Sequence, residues 1–487
     1  MSELPANLRQ AKAGAWVRAL IEAGKARPAL RVGGVDVEPL WSMRAQLIQL
    51  GGEVLSRPVS RLGAAEALRL GAYELRRVAK ELTTMPAKDT QGAFALFVPR
   101  NSGHMADLLP VIRALQGVEK SSVVFWRGQL HADFRDEVQW VTPSARQVLK
   151  ALPTAVRLLG WARAVSGAGA HAFPEVEPGS LESVVARVFA SHSVDLVTFA
   201  AGFQDVVARE RPRIVVVGNP FTLEGSVATL VAHASRIPVA CVEHGTIFGG
   251  GDAYWIDSRV DRILVWGEPS KRALLENGVE ASAISVVGAP RLDSVINRAQ
   301  VTEARTVLVA TSGAGDSVSH AEQAAFLEAL YATASELTDV QWVVKLHPKD
   351  PESAYQAAAA RYPRARVSVE RGNRSRSGLD IYDYLARAKV MVTITSSAAL
   401  DAMVARVPVV TWLPRPAAHY AHVEFIARKA TTQVTSQSEL KSALVSILGG
   451  GADAAVLERA DQYQAQHYAN RGNASQHAAT ALCALAG

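Results

Sequence analysis

The pattern of apolar and polar positions changes near residue 93. Before it, apolar residues recur at helical spacing over 38–55 and 64–82. After it, short continuous apolar runs alternate with stretches of helical spacing, beginning with the run Ala93–Val98. Such runs are typical of strands that are buried on both faces of a parallel sheet. The pattern therefore predicts a helical extension over 1–92, followed by α/β domains.

The α/β region contains two successive series of strand and helix patterns. The predicted strands are 93–98, 122–126, 213–217, 238–242, 262–266 and 285–287 in the first series, and 306–310, 341–346, 366–369, 390–394 and 407–413 in the second. Strands that alternate with helices form parallel sheets with right-handed crossovers. We therefore predict an α/β chain with two Rossmann-like, doubly wound domains, 93–297 and 298–487, joined by the polar stretch 297–303. A ligand would bind at the carboxyl ends of the strands, in a cleft where the two domains face each other.

The chain ends in a helical pattern. Helices are predicted over 438–448 and 454–485, after the last predicted strand. The sequence Arg471–Ser475 interrupts the second of them, and Ser475 is a candidate cap for the final helix.

The stretch 139–174 contains no acidic residue. Its basic residues, set among apolar ones, include Arg146, Lys150, Arg157 and Arg163. This pattern predicts two basic amphipathic helices, with Pro153 in the first turn of the second. A segment of this kind, here 144–166, either packs on its own domain with a solvated basic face or lies on an anionic membrane surface.

Length and composition bound the class of protein. The 487 residues exceed what one core organises, and 49% hydrophobic with 20% charged residues describes a soluble globular chain. No uncharged apolar run reaches the length of about 18 residues that predicts a transmembrane helix, and the N-terminus lacks the apolar region of a signal peptide. The two cysteines, Cys241 and Cys483, match neither a disulfide framework nor a zinc site, which favours the reducing cytoplasm.

The net charge of +6 permits contact with nucleic acid, anionic lipid or anionic sugars. The chain lacks the interleaved aromatic and basic residues that are typical of nucleic-acid surfaces. We therefore predict no nucleic-acid partner.

Lys345-Leu-His-Pro348 stands where the second strand of the second series should end. Pro348 stops the strand because it lacks an N–H and has a fixed φ. The imidazole of His347 next to Lys345, at the carboxyl end of a parallel strand, suits an anionic ligand. A capped strand end followed by a solvated turn explains the same residues, and the residues alone leave both interpretations open.

Two other loops of the second series carry small and hydroxyl-bearing residues. Ser396 and Ser397 lead from a strand into a helix, whose first N–H groups lack internal partners and favour an anion. An ordinary N-cap needs only one of these serines. Ser312 and Gly313 follow the first strand of the series, where a glycine lets a phosphate or a sugar approach the backbone. This loop matches neither a Walker A loop nor GxGxxG.

Four residues at predicted strand exits of the first series are candidates for acid–base chemistry: His104, Glu224, Glu243 and His244. A neutral imidazole at His104 can deprotonate an acceptor hydroxyl, although a lone loop histidine is more often bonded to the backbone. Asp293 is a further candidate at a strand exit. No Asp-x-Asp pair is arranged for a divalent metal, so no metal site is predicted.

Together these motifs resemble enzymes of the GT-B superfamily. Ser102–Leu115 resembles the first loop and helix of GT-B glycosyltransferases and of UDP-N-acetylglucosamine 2-epimerases. Three further segments look like the same superfamily: Glu243–Thr246, Val265–Lys271 and Val287–Asp293. Lys345–Pro348 followed by Ser396-Ser397 is similar to the His-Pro and Ser-Ser pair of bacterial sialyltransferases, and capsule Kdo transferases and CDP-glycerol glycerophosphotransferases show related pairs. The likeness covers roughly 93–480.

The resemblance implies a nucleotide-sugar co-substrate and no other cofactor. It implies that the donor is bound by Ser312, Gly313, Lys345, His347, Pro348, Ser396 and Ser397, and that His347 stabilises the leaving nucleotide. On the acceptor side, which includes Glu243 and His244, His104 matches a first-loop base of some GT-B enzymes. Sialyltransferases instead use an acidic residue in an Asp/Glu-Asp/Glu-Gly motif, which this sequence lacks; Glu224-Gly225 is the nearest substitute.

We therefore predict an inverting, metal-independent glycosyltransferase that acts on a bacterial surface glycan or glycolipid. A CMP-linked sugar of the Kdo or sialic type is the favoured donor. The alternatives are a CDP-glycerol-type polyol-phosphate transferase, a UDP-sugar 2-epimerase-like enzyme and a non-catalytic glycan-binding scaffold. The expected location is the cytoplasm, at the inner face of the cytoplasmic membrane if 144–166 contacts lipid.

Overall fold

The structure, a computed structural model, describes residues 6–54, 62–84, 92–118, 120–125, 137–165, 178–245, 247, 253–296, 305–313, 318–347, 350–371, 381–420 and 423–487. The chain forms two compact units. Unit 1 contains Met1–Pro290 and Ser475–Gly487, and unit 2 contains Arg291–Ala474. These limits differ from the predicted boundaries because the N-terminal helices and the last helix pack in unit 1.

The strands are β1 (Arg31–Val32), β2 (Val35–Asp36), β3 (Ala95–Val98), β4 (Ser122–Phe125), β5 (Gln139–Val141), β6 (Ile214–Val217), β7 (Val239–Val242), β8 (Arg262–Val265), β9 (Ile284–Val286), β10 (Thr306–Ala310), β11 (Gln341–Lys345), β12 (Val367–Glu370), β13 (Val390–Thr393), β14 (Val409–Trp412) and β15 (Thr432–Val434).

The α-helices are α1 (Ala6–Lys25), α2 (Pro39–Ser42), α3 (Arg44–Val54), α4 (Ala64–Thr84), α5 (Ser102–Gly117), α6 (Ala145–Val165), α7 (Pro178–Glu210), α8 (Leu223–Ala234), α9 (Glu268–Glu276), α10 (Asp293–Ile296), α11 (His320–Glu336), α12 (Glu352–Arg361), α13 (Ile381–Leu385), α14 (Ala398–Val404), α15 (Glu424–Ala427), α16 (Gln437–Leu448), α17 (Ala454–His467) and α18 (Ala474–Ala486). Short 3₁₀ turns cover Ala253–Ser258, Ala281–Ala283, Pro290–Leu292 and Ala417–Tyr420.

Unit 1 is built on a parallel sheet with the strand order β5-β4-β3-β6-β7-β8-β9. The chain runs from β3 outward to β5 and then returns to β6 on the other side of β3, so the order reverses between β3 and β6. These two strands pair from Ala95↔Ile214 to Val98↔Val217. Every residue of β3, β4, β6 and β7 is buried, which explains their continuous apolar runs.

The N-terminal helices form part of unit 1 and not a separate extension. Helices α3 and α4 pack on the long helix α7, and α2 packs on α8. Trp16 and Leu20 of α1 are fully buried in one cluster with Phe189 and Phe203 of α7. Among the described helices, α7 is long and apolar enough to cross a membrane. Most of its apolar stretch is buried in unit 1, as in the core helix of a folded domain.

The basic segment forms one helix, α6, and the predicted break at Pro153 is wrong. Proline removes one main-chain hydrogen bond from a helix interior. Burial of one apolar face of α6 against α7 offsets this loss; the buried residues of that face are Val148, Ala151, Ala155, Leu158 and Ala162. Tertiary packing therefore keeps the helix continuous through Pro153.

Unit 2 contains a second parallel sheet, with the strand order β12-β11-β10-β13-β14-β15. Its order reverses between β10 and β13, which pair through Val307↔Val390, Leu308↔Met391 and Val309↔Val392. The two doubly wound sheets confirm the predicted α/β class with two Rossmann-like domains.

Several elements differ from the predicted pattern, including β1, β2, α10 and α15, which the sequence did not predict. The last strand is β15, not 407–413, because Thr432–Val434 is a short edge strand without a clear apolar run. β5 and α12 also form where the sequence predicted neither. The candidate linker 297–303 lies outside the described residues.

The final helical region is divided into α17 and α18, at the predicted interruption. The first residue of α18 is Ala474, whose N–H donates to the Asp293 carboxylate at 3.0 Å. Asp293, a candidate acid–base residue from the sequence, therefore bonds a helix N-terminus. Further along α18, Ala478 and Leu482 are fully buried with the α5 side chains in the core of unit 1, which assigns this helix to the first Rossmann-like unit.

Candidate functional site

Hydrogen bonds join the loops that follow β10, β11 and β13 at the reversal of strand order in unit 2. The N–H of Thr395 donates to the Ser312 hydroxyl at 3.0 Å, which links the loops on either side of the reversal. The N–H of His347 donates to the Thr311 hydroxyl at 2.6 Å. Ligands of doubly wound sheets bind at this reversal point, so the structure brings the predicted donor-binding loops together at the expected edge.

The imidazole of His347 lies directly against Gly313. Gly313 has φ +74°, and a Cβ at this position would lie 2.3 Å from His347 Nδ1. Only glycine allows the ring and the backbone to approach so closely, and it also adopts this φ without strain. The pair predicted from two separate loops is thus a single local arrangement.

The two serines after β13 have different environments. The Ser396 hydroxyl accepts a hydrogen bond from the Ala398 N–H at 3.4 Å, and the Ser396 N–H donates to Thr393 Oγ1 at 3.1 Å. Ser397 is the N-cap residue of α14, but its side chain makes no capping bond and is exposed. Because α14 has only seven residues, its dipole contributes little, and the hydroxyl of Ser397 is the accessible polar group of the pair.

Buried polar contacts fix the loop that contains His347. Asp350 has no solvent exposure, and its N–H donates to the His347 carbonyl at 2.9 Å. Its carboxylate accepts from Gln323 Nε2 at 2.7 Å and from the Tyr355 hydroxyl at 3.2 Å. Burial raises the pKa of Tyr355 above its ordinary value, which keeps this hydroxyl a donor. Sequence reasoning missed this support because nothing local indicates that Asp350 is buried.

The remaining predicted residues of this loop are Lys345 and Pro348. The Nζ of Lys345 lies 5.8 Å from the centroid of the Tyr384 ring, within the range of a cation–π contact. Its carbonyl accepts from the Thr311 N–H at 3.2 Å. Pro348 lies outside the described residues.

In unit 1, His104 lies across the reversal between β3 and β6. The ring Nδ1 of His104 accepts from the main-chain N–H of Arg100 at 3.2 Å. The main-chain N–H of His104 donates to Oδ1 of Asn101, the N-cap of α5, at 3.0 Å. A Cβ on Gly218, directly after β6, would lie 2.6 Å from His104 Nδ1. The ring is therefore wedged between the loop after β3 and the loop after β6.

His244, at the end of β7, packs against the same ring. The two imidazole centroids are 4.4 Å apart. The Asn219 side chain accepts from the Phe221 N–H at 2.8 Å, which orients its amide so that Nδ2 faces His244 Nε2 at 3.4 Å. Asn219 was not predicted, although a polar residue directly after a buried strand is a signal that sequence reasoning can use.

These contacts define the protonation of both rings. Burial, together with the neighbouring His244 and Arg100, lowers the pKa of His104 to about 3. The neutral ring of His104 accepts at Nδ1, so its proton is on Nε2. In the neutral form of His244, an Nε2 that accepts from Asn219 Nδ2 leaves the proton on Nδ1. In its neutral form each ring then has one N–H, at Nε2 of His104 and at Nδ1 of His244.

The two acidic candidates of unit 1 differ sharply. Glu224 lies in the first turn of α8, partly exposed, with Oε2 3.5 Å from Arg100 Nη1. The adjacent Gly225 has a packing role, because its Cβ would lie 1.9 Å from the Asn219 carbonyl oxygen. Glu243 is almost fully buried, and its carboxylate accepts from the Trp266 N–H at 2.6 Å and the Ser270 hydroxyl at 2.7 Å. Glu224 is therefore the accessible carboxylate, and Glu243 connects the loops after β7 and β8.

The two sheets define the class of the protein by fold: an α/β chain with two Rossmann-like units of the GT-B type. Neither a family profile nor a curated protein matches the sequence.

Solved structures show the same architecture. A protein of Listeria monocytogenes, assigned as a UDP-N-acetylglucosamine 2-epimerase, is 14% identical; the match covers 81% of this chain and 96% of that protein, with a TM-score of 0.53. The UDP-N-acetylglucosamine 2-epimerase of Neisseria meningitidis, solved with UDP-GlcNAc bound, is 13% identical, and the match covers 80% and 99% with a TM-score of 0.52. At such low identity these comparisons show a shared fold.

We expect the stability of unit 1 to fall in acid because of His104. The pKa of His104 is about 3 in the folded chain, against an ordinary value of 6.5. Above pH 6.5 the ring is neutral in both states. Below it the unfolded chain takes up a proton that the folded chain excludes, so the free energy of unfolding should fall by about 1.4 kcal/mol per pH unit. This decrease should end near the folded pKa.

Urea unfolding of His104→Asn between neutral pH and about pH 5 measures this contribution. The variant should be less stable than the wild type at neutral pH, and the gap should narrow as the pH falls. His320→Asn, at an exposed position, is the control and should keep the wild-type pH dependence. Parallel curves for wild type and His104→Asn would contradict the prediction.

Proposed function

We propose that the protein is an enzyme that binds a nucleotide-sugar and transfers its sugar to an acceptor with inversion. The observation that carries this proposal is the joining of three strand-exit loops at the reversal point of unit 2. Ser312 and Gly313, His347, and Ser396 with Ser397 come from separate parts of the sequence. Together they bring hydroxyl groups and an imidazole to one edge of the sheet, which suits the phosphate of a donor.

The chemistry at this position is stabilisation of the leaving nucleotide. Charge develops on the phosphate oxygen as the bond to the sugar breaks. Donors that are already oriented stabilise such charge without reorganisation, which is usually a large catalytic effect. The bonds of Thr311 to His347 and of Ser312 to Thr395 hold the loops in place before a ligand binds. We assign leaving-group stabilisation to His347 and donor binding to Ser397.

Transfer with inversion also requires a base that activates the acceptor. The sequence named His104, but its Nδ1 accepts from Arg100 and its remaining nitrogen carries the proton. With a pKa of about 3 it is also a weak base at neutral pH. We therefore favour Glu224 as the base and assign to His104 and His244 the role of donors to acceptor oxygens.

The sequence pair of His-Pro and Ser-Ser motifs favours a CMP-linked sugar of the Kdo or sialic type, with CDP-glycerol as the alternative donor. A second candidate function is the 2-epimerisation of a UDP-sugar. The observation that favours it is the likeness to 2-epimerases over 96% to 99% of their length. Both functions use the same phosphate position, so they differ in whether an acceptor is needed.

Contact with an anionic membrane is the third part of the proposal, and α6 supports it. Three large apolar side chains of α6 project into solvent: Leu149 is 55% exposed, Val156 71% and Leu159 41%. Arg146, Lys150 and Arg157 are exposed on an adjoining stripe of the same helix. An apolar stripe beside a basic one, without an acidic residue, complements a surface of anionic lipid. This surface would bring the enzyme to a glycolipid acceptor at the inner face of the cytoplasmic membrane.

We expect Gly313→Ala to weaken nucleotide-sugar binding by about tenfold or more, because its Cβ must displace His347. Thermal stabilisation and Kd across CMP-, CDP-, UDP- and GDP-linked compounds measure the effect. Gly450→Ala is a matched control in unit 2: its φ is +88°, and no atom lies within 4 Å of its Cβ. It should share the backbone strain and bind normally. Equal binding by both variants would argue against a donor at this position.

We expect His347→Ala to reduce turnover strongly with any donor that the wild type uses. Product analysis with and without acceptor identifies the reaction. Release of the nucleotide together with a glycosylated acceptor supports transfer, and a phosphodiester product supports CDP-glycerol chemistry. Conversion of a UDP-sugar without acceptor supports the epimerase. If the variant that lacks both the His347 imidazole and the Ser397 hydroxyl functions normally, the remaining interpretation is a non-catalytic glycan-binding scaffold.

We expect the full chain to sediment with vesicles that contain phosphatidylglycerol and not with vesicles of phosphatidylcholine alone. Val156→Asp should abolish most binding, and Lys150→Gln should weaken it by about 1 kcal/mol, or about fivefold. Val445→Asp, an exposed valine on α16 in unit 2, is the matched control. If Val156→Asp and Lys150→Gln both bind like the wild type, α6 is not the contact.

A further inference from the structure

A buried arginine connects the N-terminal segment with the histidine pair of unit 1. Arg44, the first residue of α3, is only 3% exposed. Its guanidinium donates to the Trp41 carbonyl at 2.7 Å, the Ser226 hydroxyl at 2.8 Å and the Pro220 carbonyl at 3.0 Å. Three directed bonds from one rigid, planar group define the positions of all three partners.

Aromatic rings enclose the same guanidinium. Its central carbon lies 4.1 Å from the centroid of the Trp41 ring and 5.2 Å from that of Phe221. The indole of Trp41 in turn donates to the Asp257 carbonyl at 3.1 Å. Burial lowers the pKa of Arg44 to about 9, so it still carries its charge at neutral pH. A buried charge with this many partners has no alternative position of similar energy.

One hydrogen-bond partner of Arg44, Pro220, and the stacked Phe221 belong to the loop that orients His244. Pro220 and Phe221 directly follow Asn219, whose amide faces His244 Nε2. The Ser226 hydroxyl also donates to the Pro220 carbonyl, at 3.0 Å. The orientation of the Asn219 amide depends on the Phe221 N–H, and therefore on the path of the chain that Arg44 bonds.

We propose that Arg44 is a positioning residue: it fixes the 218–222 loop so that Asn219 holds His244, and with it the His104–His244 pair, in one protonation pattern. The N-terminal segment thereby acts on the acceptor side of the proposed function. The inference deepens that function, but its test reads the histidines directly and needs neither donor nor acceptor.

The experiment uses the full chain with ¹⁵N-labelled histidine, and His244→Asn and His104→Asn assign the signals. In the wild type, His244 should show protonated Nδ1 and unprotonated Nε2, and His104 the opposite. Arg44→Met should abolish the single pattern of His244 and replace it with an average of tautomers. Asn219→Ala should give the same change, because it removes the partner directly.

Arg259→Met is the matched control. Arg259 stacks on the same Trp41 ring at 4.4 Å and pairs with Glu38 at 2.7 Å, at the exposed side of the contact. The Arg259→Met variant should leave the tautomer of His244 unchanged. Ser226→Ala removes one bond of Arg44 and also the direct bond from Ser226 to Pro220. Arg44→Lys, which keeps the charge without the planar fork, therefore decides the question if Arg44→Met does not fold. Like Arg44→Met, it should abolish the single pattern.

Carbethoxylation by diethyl pyrocarbonate gives a second measurement. In Arg44→Met or Arg44→Lys, His244 should react about fivefold faster or more, which corresponds to the loss of one hydrogen bond. The partly buried His192 on α7 of unit 1 should react at the wild-type rate, since a general loss of structure would accelerate both. The proposal is overturned if Asn219→Ala changes His244 while the folded Arg44 variants do not.

Discussion

The hydrogen bond from the Thr395 N–H to the Ser312 hydroxyl crosses the point where the strand order of unit 2 reverses. At such a point two neighbouring strands send their chains in opposite directions, so the loops diverge and leave a crevice. A hydroxyl that accepts a main-chain N–H from the other side keeps this crevice at a defined width. The positions of His347 and of the two serines depend on that link.

Both units place a histidine against a glycine at this kind of position. His347 contacts Gly313 in unit 2, and His104 contacts Gly218 in unit 1; a Cβ on either glycine would lie 2.3 Å or 2.6 Å from the ring nitrogen. The two rings nevertheless have different surroundings. His104 is buried and neutral beside a second imidazole, whereas His347 is only partly buried among hydroxyl groups. The same packing device therefore gives a buried imidazole pair in one unit and a partly exposed imidazole in the other.

Buried polar groups hydrogen-bond to the loops that carry the candidate residues of each unit. Asp350 holds the far side of the His347 loop, Glu243 joins the loops after β7 and β8, and Arg44 bonds the loop after β6. Burying any of these groups without hydrogen-bond partners would lower the free energy of unfolding. Their bonds therefore restrict the loops to one arrangement, which suits a site that must be oriented before its ligand arrives.

The sequence by itself determined the α/β class, the two strand series and the strand exits at which His104, His347 and the Ser396–Ser397 pair stand. Apolar runs and helical spacing are local properties, so the strands of both sheet centres were predictable. The edge strand β15 and the continuous helix α6 were not, because packing overrides a weak pattern or a single proline. Only the tertiary structure decided that the N-terminal helices and α18 complete unit 1. It also decided that Glu243 is buried while Glu224 is partly exposed, and that His104 accepts a hydrogen bond at Nδ1. Such properties depend on contacts between residues far apart in the chain, as between Arg44 and Pro220, and no local pattern records them.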